Sequence, residues 1–247
     1  MQRYFLEDYQ GETVTTATSW RDANKEENRV WVPKSIINEI DNTNAHVIGN
    51  GPSRLEFNLE LLHGQHGGEK IVSVGQSYGC NLLYKDFNPT FLVCVDKQIL
   101  PEIVESGYCE DNIVYTNAKN FIFHPELTHL YPLHYPANAG TLALHLACAD
   151  GHKRIFMLGF DFYNLGNENV YFETHSRYEE AVNAESSNNK FTDFFVRLMD
   201  TYPEVEFTRV FTGKTENYPD ALNWCKNYNQ IDYRQYVSDA GLGAIAR

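Results

Sequence analysis

His46-Val47-Ile48-Gly49-Asn50-Gly51-Pro52-Ser53-Arg54 is an apolar strand that runs into a glycine-bracketed turn and then into a helix expected over 54–62. The first amides of a helix lack internal partners and sit at the positive end of its dipole, so this turn is a candidate seat for a phosphate. Gly49 and Gly51 let a ligand approach the main chain without meeting a Cβ, and Ser53 can cap the helix or donate to a phosphate. The pattern is neither G-x-G-x-x-G nor a Walker loop, so a strand-turn-helix without a ligand fits it equally well.

Working outward, the chain alternates apolar runs with helical patterns. Strands are expected over 70–75, over 89–96, which ends in Asp96, and over 112–117, with another short one over 120–123. A second small-residue turn, Asn138-Ala139-Gly140-Thr141, opens a helix that Gly151 stops. A strand over 154–163, a helix over 178–202 and a last strand over 205–211 follow. This order predicts an α/β, Rossmann-like doubly wound, mostly parallel sheet with helices on both faces.

The expected division is a polar, irregular N-terminal extension over 1–44, the nucleotide-binding domain over 45–211 and a C-terminal extension over 212–247. Ligands of such sheets sit outside the carboxyl ends of the strands, where Asn81 and Asp96 would lie. Both residues also read as ordinary caps.

The chain of 247 residues carries a net charge of −13, which opposes broad binding to nucleic acid or to an anionic membrane. It contains no apolar run long enough to span a bilayer and no signal-peptide pattern, which predicts a cytoplasmic protein without an integral membrane segment. Five cysteines form no C-x-x-C pair, and nine histidines form no H-E-x-x-H, so no metal site is expected. Sixteen tyrosines suit a stacking or hydrogen-bonding pocket and equally an aromatic core. Nothing in the pattern opposes a homo-oligomer.

Gly49-Asn50-Gly51-Pro52-Ser53, Cys80-Asn81 and the block from Gly140 to Gly159-Phe160-Asp161-Phe162-Tyr163 together resemble the small bacterial CMP-sialic acid sialyltransferases. The skeleton is also similar to the motility-accessory flagellin glycosyltransferases, to archaeal 6-hydroxymethylpterin diphosphokinases and to a group of bacteriophage proteins. The resemblance spans about 45–211. It implies that Asn50, Gly51, Ser53 and Asn81 contact a nucleotide, beside Gly49 in the same turn and Asp96 at its strand end, which the residues themselves make candidates, and that Ala139, Gly140 and Thr141 cradle a CMP-linked donor.

It further implies that Tyr163 and Tyr171 hold the leaving phosphate without any cofactor. The family's base falls at Ser186-Ser187-Asn188-Asn189, and its basic residue falls near Tyr135 or Pro136. His175, flanked by Glu173 and Arg177, is therefore the substitute base, with His134 second. The expected reaction passes a nonulosonic acid to a glycan or other acceptor hydroxyl. In a phage-encoded member it would run in the host cytoplasm. The alternatives are a pterin diphosphokinase in which Asp96 and Asp161 hold Mg²⁺, and a non-catalytic nucleotide-binding or virion-associated module.

Overall fold

The computed structural model describes residues 2–9, 12–19, 28–32, 44–63, 65–66, 69–70, 75–131, 137–161, 169–171, 185–211 and 220–242. The described residues of the first 32 pair as an antiparallel meander in place of the expected irregular extension. Its strands are β1 (Gln2–Tyr9), β2 (Glu12–Ser19) and β3 (Asn28–Val32). A two-residue hairpin, β5 (Gln65–His66) with β6 (Glu69–Lys70), follows the first strand of the main sheet, β4 (Ala45–Ile48).

The main sheet has eight strands, all parallel. To one side of β4 lie β7 (Gln76–Cys80), β8 (Phe91–Val93), β9 (Val114–Thr116) and β10 (His129–Leu130). To the other side lie β11 (Arg154–Leu158), β12 (Glu206–Phe211) and β13 (Tyr228–Asp232). The strand beside β4 thus starts at Gln76, later than the expected 70–75, of which Ile71–Val74 fall outside the described residues. The run read as a strand over 120–123 is instead a short helix, α3 (Ala118–Phe121), because Asn117 takes the N–H groups of Lys119 and Asn120 on its side chain.

Successive side chains point to opposite faces, which divides the core in two. Ala45, Val47, Ile155, Met157 and Phe207 face α4 (Ala139–Ala149) and α5 (Glu185–Thr201). Ile48, Leu92, Phe156, Leu158 and Val210 face α1 (Leu100–Glu105) and α6 (Tyr233–Asp239). On that second face α2 (Tyr108–Asp111) buries Cys109. The doubly wound, Rossmann-like fold with helices on both faces is therefore observed. Helix α4 is buried nearly all round, as its uniformly apolar sequence dictates. Among the described residues, no helix is long and apolar enough to cross a membrane.

The C-terminal stretch joins this sheet. Its strand β13 pairs with β12, and its helix packs the fully buried Tyr236 against the opening strand. The Tyr236 hydroxyl lies 2.7 Å from His46 Nδ1, and the imidazole stacks on Phe156 with ring centroids 5.7 Å apart. His46 is thus a satisfied core histidine that fixes the last helix on the first strand.

At the opposite end of α4, the buried Tyr78 hydroxyl donates to Asp150 Oδ2 at 2.6 Å, with Gln76 Oε1 at 2.8 Å and His152 Nε2 at 2.9 Å. Burial pushes the Asp150 carboxyl up to about 7, against the pull of the Tyr78 hydrogen bond. A carboxyl whose folded value is raised favours the fold below its ordinary value, and that contribution is lost as pH rises through about 7. Asp150→Asn keeps an acceptor for Tyr78 and cannot ionise. The melting temperature of this variant, relative to the native chain, should therefore rise from about pH 5 to about pH 8. A difference that stays flat across that range would contradict this.

Candidate functional site

The chain steps from β4 to β7 on one side and later returns to β11 on the other, so the switch point of the sheet is the β4–β11 boundary. The glycine turn leaves β4 there. It is closed by its neighbour: Gly49 N donates to Leu158 O at 2.8 Å, Gly51 N to Gly159 O at 2.9 Å, and Ser53 N to Asp161 Oδ2 at 2.8 Å. These contacts explain the glycines. A Cβ on Gly49 would stand 2.6 Å from Gly159 O, one on Gly159 would stand 2.6 Å from Gly49 O, and Gly159 has φ +68°.

The expected helix over 54–62 is two 3-10 turns, Pro52–Glu56 and Leu59–His63. They are separated where Phe57 N closes on Arg54 O and Asn58 Oδ1 takes Glu60 N. The N-cap is Gly51 and makes no side-chain cap bond, while Ser53 Oγ is buried without a partner. The amides read as a phosphate seat are therefore engaged by the carbonyl of Gly159 and the carboxylate of Asp161. The buried Arg209 guanidinium lies 3.6 Å from the other oxygen of that carboxylate.

The open space lies at the carboxyl ends of β7 and β8. Asn81, Val95, Asp96, Lys97 and Gln98 enclose, with Asn138 and Ala139 at the start of α4, a cleft of about 390 Å³. The N-cap Asn138 takes Thr141 N on its Oδ1 at 2.8 Å, which leaves the first-turn amides of Ala139 and Gly140 without intrahelical partners. Asn81 adopts φ +50°, and its buried Oδ1 has no partner. Asp96 Oδ1 accepts from Gln98 N at 2.9 Å, while the amides of Asn117 and Asn120 hold Val95 O at 3.1 and 2.9 Å.

The two bends that the sequence places far apart meet at Cys80. Asn50 Nδ2 donates to Cys80 O at 3.2 Å, and a Cβ on Gly140 would lie 3.9 Å from Cys80 Sγ. The thiol itself is pushed up to about 12 by burial, so it stays protonated. Asn50 is only 8% exposed, yet its Oδ1 is unpartnered, as is Thr141 Oγ1. An unsatisfied buried polar atom costs about 1–3 kcal/mol. With Asn81 Oδ1, the Asn50 and Thr141 atoms gather around the carboxyl ends of β4 and β7 and the start of α4.

Of the candidate site residues, Asn81, Asp96 and Ala139 line the cleft, and Gly140 and Thr141 continue the helix turn behind it. Gly49, Asn50, Gly51 and Ser53 lie one strand away. Tyr171 is elsewhere: its hydroxyl donates to Asp86 Oδ2 at 2.7 Å and accepts from Arg54 Nη2 at 2.9 Å. Burial and the Asp86 hydrogen bond raise its pKa. Tyr163, His175 and His134 lie outside the described residues, and Ser186-Ser187-Asn188-Asn189 falls in the first turns of α5. Lys97, Gln98 and Asn138 went unread as site residues, although Lys97 and Gln98 directly follow the carboxylate that ends an apolar strand.

Two solved structures are similar to this chain. The sialyltransferase CstII from Campylobacter jejuni, in complex with the substrate analogue CMP-3FNeuAc, matches at 14% identity over 68% of this chain and 81% of its own, with a TM-score of 0.44. The monofunctional alpha-2,3-sialyltransferase Cst-I from the same organism matches at 13% identity over 84% of this chain and 96% of its own, with a TM-score of 0.45. No family model and no curated protein matches the sequence.

Removing the carboxylate that closes the turn should be costly. Asp161→Ala takes the acceptor from Ser53 N and removes the buried carboxylate that lies 3.6 Å from the Arg209 guanidinium, a loss of about 3–5 kcal/mol. Chemical denaturation would measure it, and a loss under about 1 kcal/mol would show that the turn does not depend on this carboxylate.

Proposed function

We propose that this protein is a glycosyltransferase that binds a nucleotide-activated sugar in the cleft between β7, β8 and the start of α4. The observation that carries this reading is the cleft itself: a helix N-terminus supported by buried, unpartnered polar atoms at the carboxyl ends of parallel strands. The amides of Ala139 and Gly140 would receive the donor phosphate. Asn81 and Asp96 present acceptors suited to ribose hydroxyls or a base amino group. The donor is a CMP-linked nonulosonic acid, as the resemblance in the glycine turn and the Gly159-to-Tyr163 block implies.

In the reaction, an acceptor hydroxyl oxygen forms the new glycosidic bond at the anomeric carbon as the bond from that carbon to the phosphate oxygen breaks. His175 would take the hydroxyl proton. The amides at the α4 N-terminus and the Tyr163 phenol would hold the charge gathering on the departing phosphate. Asp161 is poorly placed to hold Mg²⁺ as the diphosphokinase alternative requires, because it already receives Ser53 N–H and faces the Arg209 guanidinium.

A thermal-shift series with CMP, CDP, UDP and ATP, each with and without Mg²⁺, tests this directly. Stabilisation by CMP without Mg²⁺ is expected, whereas stabilisation by ATP only with Mg²⁺ would favour the diphosphokinase. Asn81→Asp keeps a residue tolerant of a left-handed backbone but adds a negative charge to the cleft proposed to hold the phosphate. It should weaken CMP binding about tenfold, roughly 1.4 kcal/mol, at unchanged melting temperature. Unaltered affinity would remove Asn81 from the site.

A further inference from the structure

We infer that Arg54, Asp86 and Tyr171 form a clasp that positions the glycine turn, so that Tyr171 is a positioning residue and does not hold the leaving phosphate. The three side chains close on one another. Arg54 Nη2 donates to Asp86 Oδ2 at 2.7 Å and to the Tyr171 hydroxyl at 2.9 Å, and that hydroxyl donates to the same Asp86 oxygen at 2.7 Å. The guanidinium carbon also stands 5.6 Å from the centre of the Tyr171 ring. Arg54 is 2% exposed and Tyr171 5% exposed, so both are committed to this contact, while Asp86 reaches solvent.

The arrangement bears on the turn because Arg54 belongs to it and because the residue before Tyr171 holds it again. Val170 N donates to Asn50 O at 2.9 Å. Residues 169–171 therefore grip the turn twice, through a backbone bond at Asn50 and through the buried guanidinium four residues later. The side chain of Asn50 in turn reaches Cys80 O, the carbonyl that precedes Asn81 in the cleft. A path of hydrogen bonds, joined by the backbone between Tyr171 and Val170, through Asn50 and between Cys80 and Asn81, thus runs from Asp86 at the surface to the wall of the cleft. Tyr171 has a single proton to donate, and Asp86 receives it.

The ligand arm of the test rests on the nucleotide reading above, and the second arm does not. Tyr171→Phe, Asp86→Asn and the double variant are compared by CMP titration calorimetry and by hydrogen exchange of the Val170 amide without ligand. Both single variants should weaken CMP by a similar factor of about ten, and the double variant should be no worse than either, because the pair acts through one contact. Exchange at Val170 should accelerate by about tenfold in all three, with global unfolding little changed.

If Asp86→Asn leaves CMP affinity intact while Tyr171→Phe weakens it, Tyr171 touches the ligand itself and the clasp is overturned. Unchanged exchange at Val170 in every variant would overturn it as well. Failure of the native chain to bind CMP would sink the nucleotide reading alone, and the exchange arm would still decide the clasp.

Discussion

Three glycines let two backbones touch, and the rest of the structure is arranged around that contact. Where β4 and β11 end, Gly49, Gly51 and Gly159 bring main chain against main chain at a separation no Cβ would permit. The amides of the turn are thereby consumed by a neighbouring carbonyl and by the Asp161 carboxylate. Two consequences follow. The crevice at the switch point, the usual ligand site of a doubly wound sheet, is closed by the protein's own groups. The helix N-terminus with free amides lies one connection away, at α4, and the cleft opens there.

Charge reinforces the division. The turn is sealed by an acidic group backed by the buried Arg209, an internal pair that offers little to an incoming anion. The cleft is lined by Asp96 and Lys97 together with the start of α4 and its dipole, within a chain whose overall charge of −13 repels polyanions. Asn81 adds an acceptor for a hydroxyl or amino group, which is why the proposed ligand is a nucleoside monophosphate and not bare phosphate.

Much of the fold was legible because its strands are buried on both faces and read as apolar runs, and because Gly151 and Asn138 bracket the central helix. What escaped has physical reasons. The strand Tyr228–Asp232 lies at the sheet edge and is half exposed, so it carries little hydrophobic signal. The N-terminal meander is polar and pairs within itself, outside the main sheet.

The site was half legible. The small-residue turns marked where backbone comes close, but closeness to a ligand and closeness to another strand leave the same glycine signature, and at Gly49 and Gly51 the second applies. The contacts of Tyr171 were not legible because its partners, Arg54 and Asp86, are 117 and 85 positions away in sequence.

Backbone amide shift mapping during a CMP titration separates the two seats most directly. The shifts should concentrate on Asn81, Asp96, Ala139 and Gly140, leaving Gly51 and Ser53 nearly still. Large shifts at Gly51 and Ser53, with Ala139 and Gly140 unmoved, would show that the turn opens to take the phosphate and would contradict the seat at α4.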